Sequence, residues 1–289
     1  MLLQNYLQAK NLPLGGTVEL NKLFKSAVLV TLCYDRTTAS PNKLLALGIA
    51  TFDRKSVNKE GLIDTFAGPH AENYLSHVWS MHLRQREHVH LPGSSDDPNA
   101  YHFGTSVFTT KDEMVNFLTD IWSQPMDEEN PELGYRPIIC VQHGNPYGHG
   151  AAWQELGFDP VKMDTTIAML DSQVIAEQSK LTRNSYVEID YLLGQFKIQP
   201  STPTNCGNAA IYITIASMLC ALRKHLYQSP QNPKSKPGEH GQSASKTAQA
   251  VVNEMMKRPT PVPPVGTEVY CLRCRSYEHF FTECPLYFD

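Results

Sequence analysis

The sequence has no marked excess of either charge and no hydrophobic run that we expect to cross a bilayer. Its 289 residues carry 25 Lys and Arg against 29 Asp and Glu, which gives a formal net charge of −4 at pH 7. Such a surface has no general attraction for phosphate backbones, although a local basic groove remains compatible with it. The N-terminus also lacks the apolar stretch of a signal peptide. We therefore expect no membrane partner and an intracellular location, cytoplasmic, nuclear or both.

Cysteine is scarce, and outside the C-terminus it shows no paired spacing. Of the seven cysteines, Cys33, Cys140, Cys206 and Cys220 lie in apolar or helical contexts. Reduced, buried thiols are the interpretation that suits an intracellular protein. The sequence also lacks a P-loop, a dinucleotide-binding fingerprint and the G-x-S-x-G motif of hydrolases. Nucleophilic catalysis therefore has no support.

The last twenty residues contain the most specific motif of the chain. Cys271, Cys274, His279 and Cys284 have the spacing C-x2-C-x4-H-x4-C. Four such ligands within so short a segment can surround one Zn²⁺ ion tetrahedrally. A module this small buries little apolar surface, so the metal would supply its folding free energy. The spacing predicts a zinc knuckle with one structural Zn²⁺, and the alternative is a chance cluster in a flexible tail.

In ligand spacing this motif resembles the knuckles of retroviral nucleocapsid proteins, which hold unpaired RNA bases against exposed apolar side chains. The resemblance implies that the residues between the ligands contact nucleic acid, by stacking or by charge: Leu272, Arg273, Arg275, Tyr277 and Phe280. The apolar members of this set can instead form a cap of the knuckle itself. Such knuckles usually carry glycine where this chain has Arg275 and Glu278, and neither residue favours a positive φ.

Composition divides the chain into four segments. Residues 227–266 are rich in Pro, Ser, Gln, Lys and Gly, which is typical of a flexible linker. Within it, residues 243–256 contain better helix formers and predict a short helix, free or docked on a partner. The linker separates a core at 26–226 from the knuckle at 267–289, and residues 1–25 precede the core as an N-terminal extension.

Strand and helix patterns alternate along the core. Apolar runs at 27–34 and 44–52 are separated by the turn-prone Ser40-Pro41-Asn42 and predict adjacent strands. Residues 62–103 are predicted to contain further strands and a loop. The remaining elements are predicted as strands at 138–141 and 166–170 and as helices at 111–122, 151–157, 171–176, 185–196 and 205–226. Asn205 is a suitable N-cap for the predicted helix at 205–226, and Asp171 is a suitable N-cap for the one at 171–176. The order predicts an α/β fold in which helices flank a mixed sheet.

Several short sequence motifs of the core resemble those of the ribonuclease H-like domain of the DEDD-type 3′-to-5′ exonucleases. They are LLALGIATFD at 44–53, HFGTS at 102–106, VQH at 141–143, LGFD at 156–159, DSQ at 171–173 and NCGNAA at 205–210. More narrowly, they resemble the fungal family of the "good for full activity of a DEAD-box protein" factor, which is linked to mRNA export. The resemblance covers about residues 26–225 and implies a ribonuclease H-like sheet and an RNA partner.

Active members of that superfamily use four carboxylates to hold two divalent metal ions. The resemblance places the four carboxylate positions of this chain at Cys33, Asp35, the stretch from His143 to Gly148 and Ala209, and it places the general base, a histidine in active members, at Thr204. Asp35 is the one carboxylate in this set. The resemblance therefore implies a degenerate exonuclease site and a protein that is not an enzyme.

Four further histidines have more than one interpretation, as ligands or as residues without a binding role. His88 and His90 alternate on a predicted strand, where they would bind a metal or lie on a solvated face. His143 and His149 flank a glycine-rich turn in the expected cleft, where they would contact phosphates or have no binding role.

Three functional hypotheses follow. The preferred one is a noncatalytic protein that binds RNA or another single-stranded nucleic acid through its core and its tethered knuckle. The second is an adaptor with a protein partner in an RNA-processing or mRNA-export particle. The third is a residual exonuclease that uses Asp35 and rearranged ligands. The oligomeric state stays open.

Overall fold

The computed structural model describes residues 1–8, 10–12, 17–38, 42–59, 67–93, 100–144, 150–184, 186–201, 205–227 and 246–287. In chain order, its helices and strands are α1 (Leu2–Leu7), α2 (Val18–Lys25), β1 (Val28–Arg36), β2 (Leu44–Asp53), α3 (Arg54–Lys59), α4 (Glu72–Leu75), β3 (Val78–Gln85), β4 (Ser106–Thr109), α5 (Lys111–Trp122), β5 (Ile138–Gln142), α6 (Gly150–Leu156), β6 (Thr166–Asp171), α7 (Ser172–Gln178), α8 (Ile189–Gln195), α9 (Cys206–Tyr227) and α10 (Ala248–Lys257).

A mixed sheet with the strand order β4-β3-β2-β1-β5-β6 forms the centre of the core. Strand β2 runs antiparallel to its neighbours β1 and β3, whereas β5 and β6 extend the sheet in parallel from β1. Strand β5 and the first half of β1 are buried throughout, because helices cover both faces of the sheet. The predicted α/β fold with a mixed, helix-flanked sheet is confirmed.

Two apolar cores lie on opposite faces of the sheet. On one face, α9 packs across β1, β2 and β3, and a hydrogen bond of 2.7 Å from Thr214 Oγ1 to Thr31 Oγ1 joins helix and sheet. On the other face, α5 buries Met114 and Trp122 against the strands. Helix α5 begins with a capping box, in which Thr110 and Glu113 satisfy each other's backbone N–H groups.

Helix α9 departs from the expectation that no apolar run is long enough to cross a membrane. Its 22 residues have the length and hydropathy of a membrane span, and it is the one described helix with these properties. Most of its side chains are buried between the sheet and the surrounding helices. Its hydrophobicity is therefore accounted for by its place in the core.

Segments expected to lie outside the core pack against it. In the N-terminal extension, Tyr6 and Leu7 of α1 are fully buried, and the Tyr6 hydroxyl donates to the Ala27 carbonyl oxygen over 2.9 Å. In the second half of the segment that we interpreted as a flexible linker, α10 buries Val251 and Val252. A composition rich in Pro and Ser concealed the short apolar face of this helix. Residues 228–245 lie outside the described residues.

After α10 the chain crosses the sheet edge to the C-terminal motif. Thr260 Oγ1 donates to the Ser80 carbonyl oxygen of β3 over 2.6 Å. Phe108 of β4 and Thr267 then exchange two backbone hydrogen bonds, of 2.7 and 3.0 Å. The chain is thus fixed to edge strand β4 immediately before the first cysteine of the motif.

The first turn of α9 lies directly on β2 at Gly48. A Cβ atom at this position would overlap the carbonyl oxygen of Cys206, and a Cβ on Gly207 would lie 2.7 Å from His82 Cβ. The helix approaches the sheet this closely because position 48 has no side chain.

We expect Gly48→Ala to destabilise the protein by about 3 kcal/mol, because the new methyl group meets backbone rather than a movable side chain. The measurement is the free energy of unfolding in urea. The matched control is Gly194→Ala in α8, where a Cβ would meet nothing within 4 Å. Alanine there should leave stability unchanged or raise it by up to about 1 kcal/mol. Equal stability of the two variants would contradict the close contact at Gly48.

Candidate metal centre and nucleic-acid groove

The four predicted zinc ligands meet at one point. The sulfur atoms of Cys271, Cys274 and Cys284 and a ring nitrogen of His279 all lie within 4.8 Å of one another. A tight turn brings the first two together: the Cys271 N–H donates to the Ser276 carbonyl oxygen over 2.8 Å, and the Arg275 N–H to that of Cys271 over 2.9 Å. The described residues therefore contain the Cys3His cluster that the spacing predicts, and its donor set suits tetrahedral Zn²⁺.

The thiols of this cluster differ in acidity. Burial opposes ionisation of Cys271, but the N–H groups of Cys274 and Arg273 point at its sulfur and lower its pKa to about 6. Burial raises the pKa of Cys284, and the neighbouring Cys271 and Cys274 add to this effect. Backbone donors thus favour a thiolate at Cys271, which is the form that binds metal.

Arg275 and Glu278 occupy the positions at which nucleocapsid-type knuckles usually carry glycine. Arg275 has the left-handed backbone conformation that glycine favours. Arg275 has a φ of 62°, in the left-handed region, which costs a residue with a side chain about 1–2 kcal/mol. Glu278 does not appear among the described residues with a positive φ. The chain thus accepts a moderate strain at the turn after the second cysteine.

The Cys3His module is packed on the core through aromatic rings. The ring of Tyr270 lies 5.8 Å from that of Phe108 in β4 and 5.8 Å from that of Tyr277. The Arg86 guanidinium lies 5.1 Å from the centre of the Tyr277 ring, and its Nη1 donates to the Tyr277 hydroxyl over 3.3 Å. The module is therefore docked, which differs from the tethered knuckle that we expected.

A groove of about 700 Å³ lies between the module and the core. We call it the joint groove, and it is lined by Arg86, Glu87, His90, Thr110, Tyr270, Leu272, Arg273, Arg275, Tyr277 and Phe281. Four of the five residues proposed as nucleic-acid contacts belong to this lining. Phe280 does not, and the neighbouring Phe281 takes its place.

The core side of the joint groove is not apparent from the sequence. Arg86 and Tyr277 are 191 positions apart in the chain, so no local pattern connects them. The expectation that His88 and His90 share a strand face is wrong, because residues 86–90 form a turn after β3. His88 Nδ1 lies 2.8 Å from the Leu44 carbonyl oxygen, whereas His90 lines the groove.

The positions proposed as a degenerate exonuclease site are only partly described. Cys33 and Asp35 lie on the same face of β1, and Ala209 lies in the first turn of α9. Gly148, His149 and Thr204 lie outside the described residues. His143 follows β5, where burial lowers its pKa and its Nδ1 lies 2.6 Å from Ser172 Oγ.

Asp171 serves as the predicted cap. Its carboxylate accepts the Gln173 N–H at the start of α7 over 2.8 Å. Asn205 caps α9 in the same way, since its side-chain oxygen accepts the Asn208 N–H over 3.0 Å. Both polar residues therefore have a structural role at a helix N-terminus.

Asp35 lies beside two residues that no sequence pattern connects with it. Its Oδ2 accepts the Cys206 N–H over 3.0 Å. Ligand atoms of Asp35, His82 and Cys206 all lie within 4.8 Å of one another, and no second carboxylate among the described residues joins this group. A pair of Mg²⁺ ions requires several oxygen ligands, so this donor set does not fit the two-metal site of active exonucleases.

Comparison with a protein-family model agrees with this architecture. A family model described as DEDDh_C, "DNA polymerase III subunit epsilon-like, C-terminal domain", matches residues 29–221. No curated protein sequence matches the chain. A solved structure described as "3'-end specific recognition of histone mRNA stem-loop by 3'-exonuclease" covers 69% of this chain and 83% of its own, with 9% identity and a TM-score of 0.38. Because the family model spans the core from β1 into α9, the chain belongs to this DEDDh exonuclease-like family, whose domain has the ribonuclease H-like fold.

Proposed function

We propose that the protein binds RNA or another single-stranded nucleic acid without cleaving it. The observation that carries this proposal is the joint groove, where Arg86 of the core faces Arg273 and Arg275 of the Cys3His module. Tyr277 and Phe281 lie in the same lining and are 55% and 39% exposed. Cations that contact phosphates beside rings that stack on bases are the usual means of binding single strands.

The charge of the groove is local and moderate. Three arginines face one carboxylate of the lining, Glu87, although the whole chain has a net charge of −4. Arg86 also forms an ion pair of 3.1 Å with Glu113, which orients its guanidinium. Such a groove supports a few phosphate contacts, with stacking as the second contribution to binding.

Because the module is docked on the core, the joint groove is partly formed before RNA binds. Since Tyr270 and Tyr277 already pack against Phe108 and Arg86, the two sides of the groove need not be brought together when RNA binds. This arrangement lowers the entropic cost of binding. In our proposal one structural Zn²⁺, held by Cys271, Cys274, His279 and Cys284, maintains the fold of the module.

The noncatalytic part of the proposal depends on charge. Of the positions that correspond to the family's four carboxylates, the described Cys33 and Ala209 offer no carboxylate oxygen, and the sequence has no Asp or Glu in the third position's stretch, from 144 to 150. One carboxylate, Asp35, cannot neutralise two divalent ions. The narrower resemblance to the fungal mRNA-export family suggests an RNA particle as the setting and stays a prediction.

We expect the protein to bind fluorescein-labelled single-stranded RNA with an affinity that falls as salt increases, as measured by fluorescence anisotropy. The double variant Arg86→Ala, Arg273→Ala should weaken binding and reduce the salt slope by about 0.7 for each phosphate that the protein no longer neutralises. The control is Lys162→Ala, an exposed cation that pairs only with Asp159 in the described contacts and lies outside the joint groove. If the parent protein shows no salt-dependent binding near physiological salt, a protein adaptor replaces RNA binding as the function.

We expect no degradation of 3′-labelled RNA in the presence of Mg²⁺ or Mn²⁺, because too little negative charge remains to hold two metal ions. The assay compares the parent with Asp35→Asn and with Asp120→Asn, which removes an exposed carboxylate of α5. Clear cleavage that is lost in Asp35→Asn and kept in Asp120→Asn would overturn the noncatalytic assignment.

A further inference from the structure

A second group of metal-type ligands lies in the core, apart from the Cys3His module. It comprises Asp35 of β1, His82 of β3 and Cys206, the first residue of α9, whose ligand atoms all lie within 4.8 Å of one another. The register explains how they meet. His82 lies opposite Gly48 of β2, and Asp35 lies opposite Ala46, so the strand between the two ligands carries small residues at this point.

His82 provides the observation that points to a ligand. Its side chain is fully buried, and its Nδ1 lies 2.7 Å from Ser106 Oγ of β4. Its Nε2 is buried and has no hydrogen-bond partner among the described residues. A buried polar atom without a hydrogen bond destabilises the fold, so it calls for an explanation.

Metal coordination accounts for both ring nitrogens of His82. A metal-bound histidine usually donates its other N–H to a neighbouring polar group, which fixes the ring and the tautomer. Ser106 Oγ is placed to accept that hydrogen bond from Nδ1. The lone pair then lies on Nε2, the nitrogen that has no hydrogen-bond partner in the described part of the chain.

Asp35 and Cys206 complete the donor set. The thiol of Cys206 is buried, and the Asp35 carboxylate accepts the Cys206 N–H over 3.0 Å. A carboxylate has about four acceptor positions on its two oxygens, so this hydrogen bond is compatible with a metal bond. A purely structural role for Asp35 as an acceptor at the start of α9 explains that hydrogen bond, but it leaves His82 Nε2 unexplained.

We propose that Asp35, His82 and Cys206 bind one ion of the Zn²⁺ class at the place where active relatives hold their two catalytic ions. A set of one carboxylate, one imidazole and one thiolate suits zinc, whereas Mg²⁺ accepts the carboxylate but disfavours the thiolate and the imidazole. The thiolate and the carboxylate together balance the two positive charges of the ion. The occupied site then has no net charge beside Arg84. The Arg84 guanidinium stacks on Phe108, and its positive charge acts on His82.

Three protein ligands would leave the fourth position of a tetrahedral site to water. A cavity of about 220 Å³ lies against Asp35 and is also lined by Ala46, Arg84 and Gly93. It has room for water beside Asp35, one of the three ligands. Three protein ligands and one water form the arrangement of an open zinc site.

The test uses the full-length protein with Cys271→Ser, Cys274→Ser and Cys284→Ser, so that the C-terminal cluster cannot hold metal. After exposure to Zn²⁺ and passage over a chelating resin, mass spectrometry of the metal content should find one equivalent of zinc. Adding Cys206→Ser or His82→Gln should remove it. The matched control is Cys220→Ser, a buried cysteine of the same helix that belongs to neither ligand group and should keep the full equivalent.

Cobalt provides a second readout that does not depend on activity. Co²⁺ added to the triple-serine protein should produce a thiolate-to-metal absorption band that is absent in Cys206→Ser and retained in Cys220→Ser. Circular dichroism of the metal-free proteins checks that Cys206→Ser folds like its parent.

These measurements distinguish a failure of the proposed core site from a failure of the C-terminal zinc site. Zinc that is lost completely in the triple-serine protein, with no Co²⁺ band, overturns the core site and supports the C-terminal one. Zinc that is kept in the triple-serine protein and insensitive to Cys206→Ser and His82→Gln also overturns the core site. Both sites are established if the unmodified chain holds two equivalents of zinc and each site can be removed alone. The triple-serine protein should then hold one equivalent, and so should the Cys206→Ser protein with an intact C-terminal cluster.

Discussion

The close contact between the first turn of α9 and β2 at Gly48 is the constraint on which the rest of the core depends. Helix α9 contacts β1, β2, β3 and β5 and supplies much of one apolar core, so its distance from the sheet sets the packing of that whole face. Any side chain at position 48 would meet the backbone of Cys206. The missing side chain therefore allows the long apolar helix to be buried, and the same contact brings the start of α9 to β1 and β3.

That contact gives Asp35 a reason to be present that has nothing to do with catalysis. Its carboxylate accepts the N–H of Cys206, at the end of α9 where unpaired N–H groups and the helix dipole favour a negative charge. An aspartate at the end of β1 is therefore no evidence for a working nuclease. The feature that a helix-terminal role does not explain is the neighbouring histidine, whose Nε2 is buried with no hydrogen-bond partner among the described residues.

Patterns local in sequence were sufficient for part of the fold and the site. Cysteine spacing predicted the Cys3His cluster, and apolar runs with caps such as Asn205 predicted strands β1, β2, β5 and β6 and helices α5 to α9 of the core. Contacts between distant segments were not predictable. His82 becomes a neighbour of Asp35 only through the register across β2, and Arg86 reaches Tyr277 over 191 positions. The docking of α10 was missed because its apolar face is short and lies within a polar, proline-rich segment.

The edge of the sheet determines what the C-terminal module can do. Strand β4 is an edge strand, and the backbone of Thr267 pairs with Phe108 and covers part of its open side. This pairing fixes the chain just before Cys271, so the orientation of the module is set by the core. Arg86, Tyr270 and Tyr277 then form one continuous surface that neither part has alone. The joint groove therefore belongs to the contact between core and module, and an isolated module would lack the core's contribution to it.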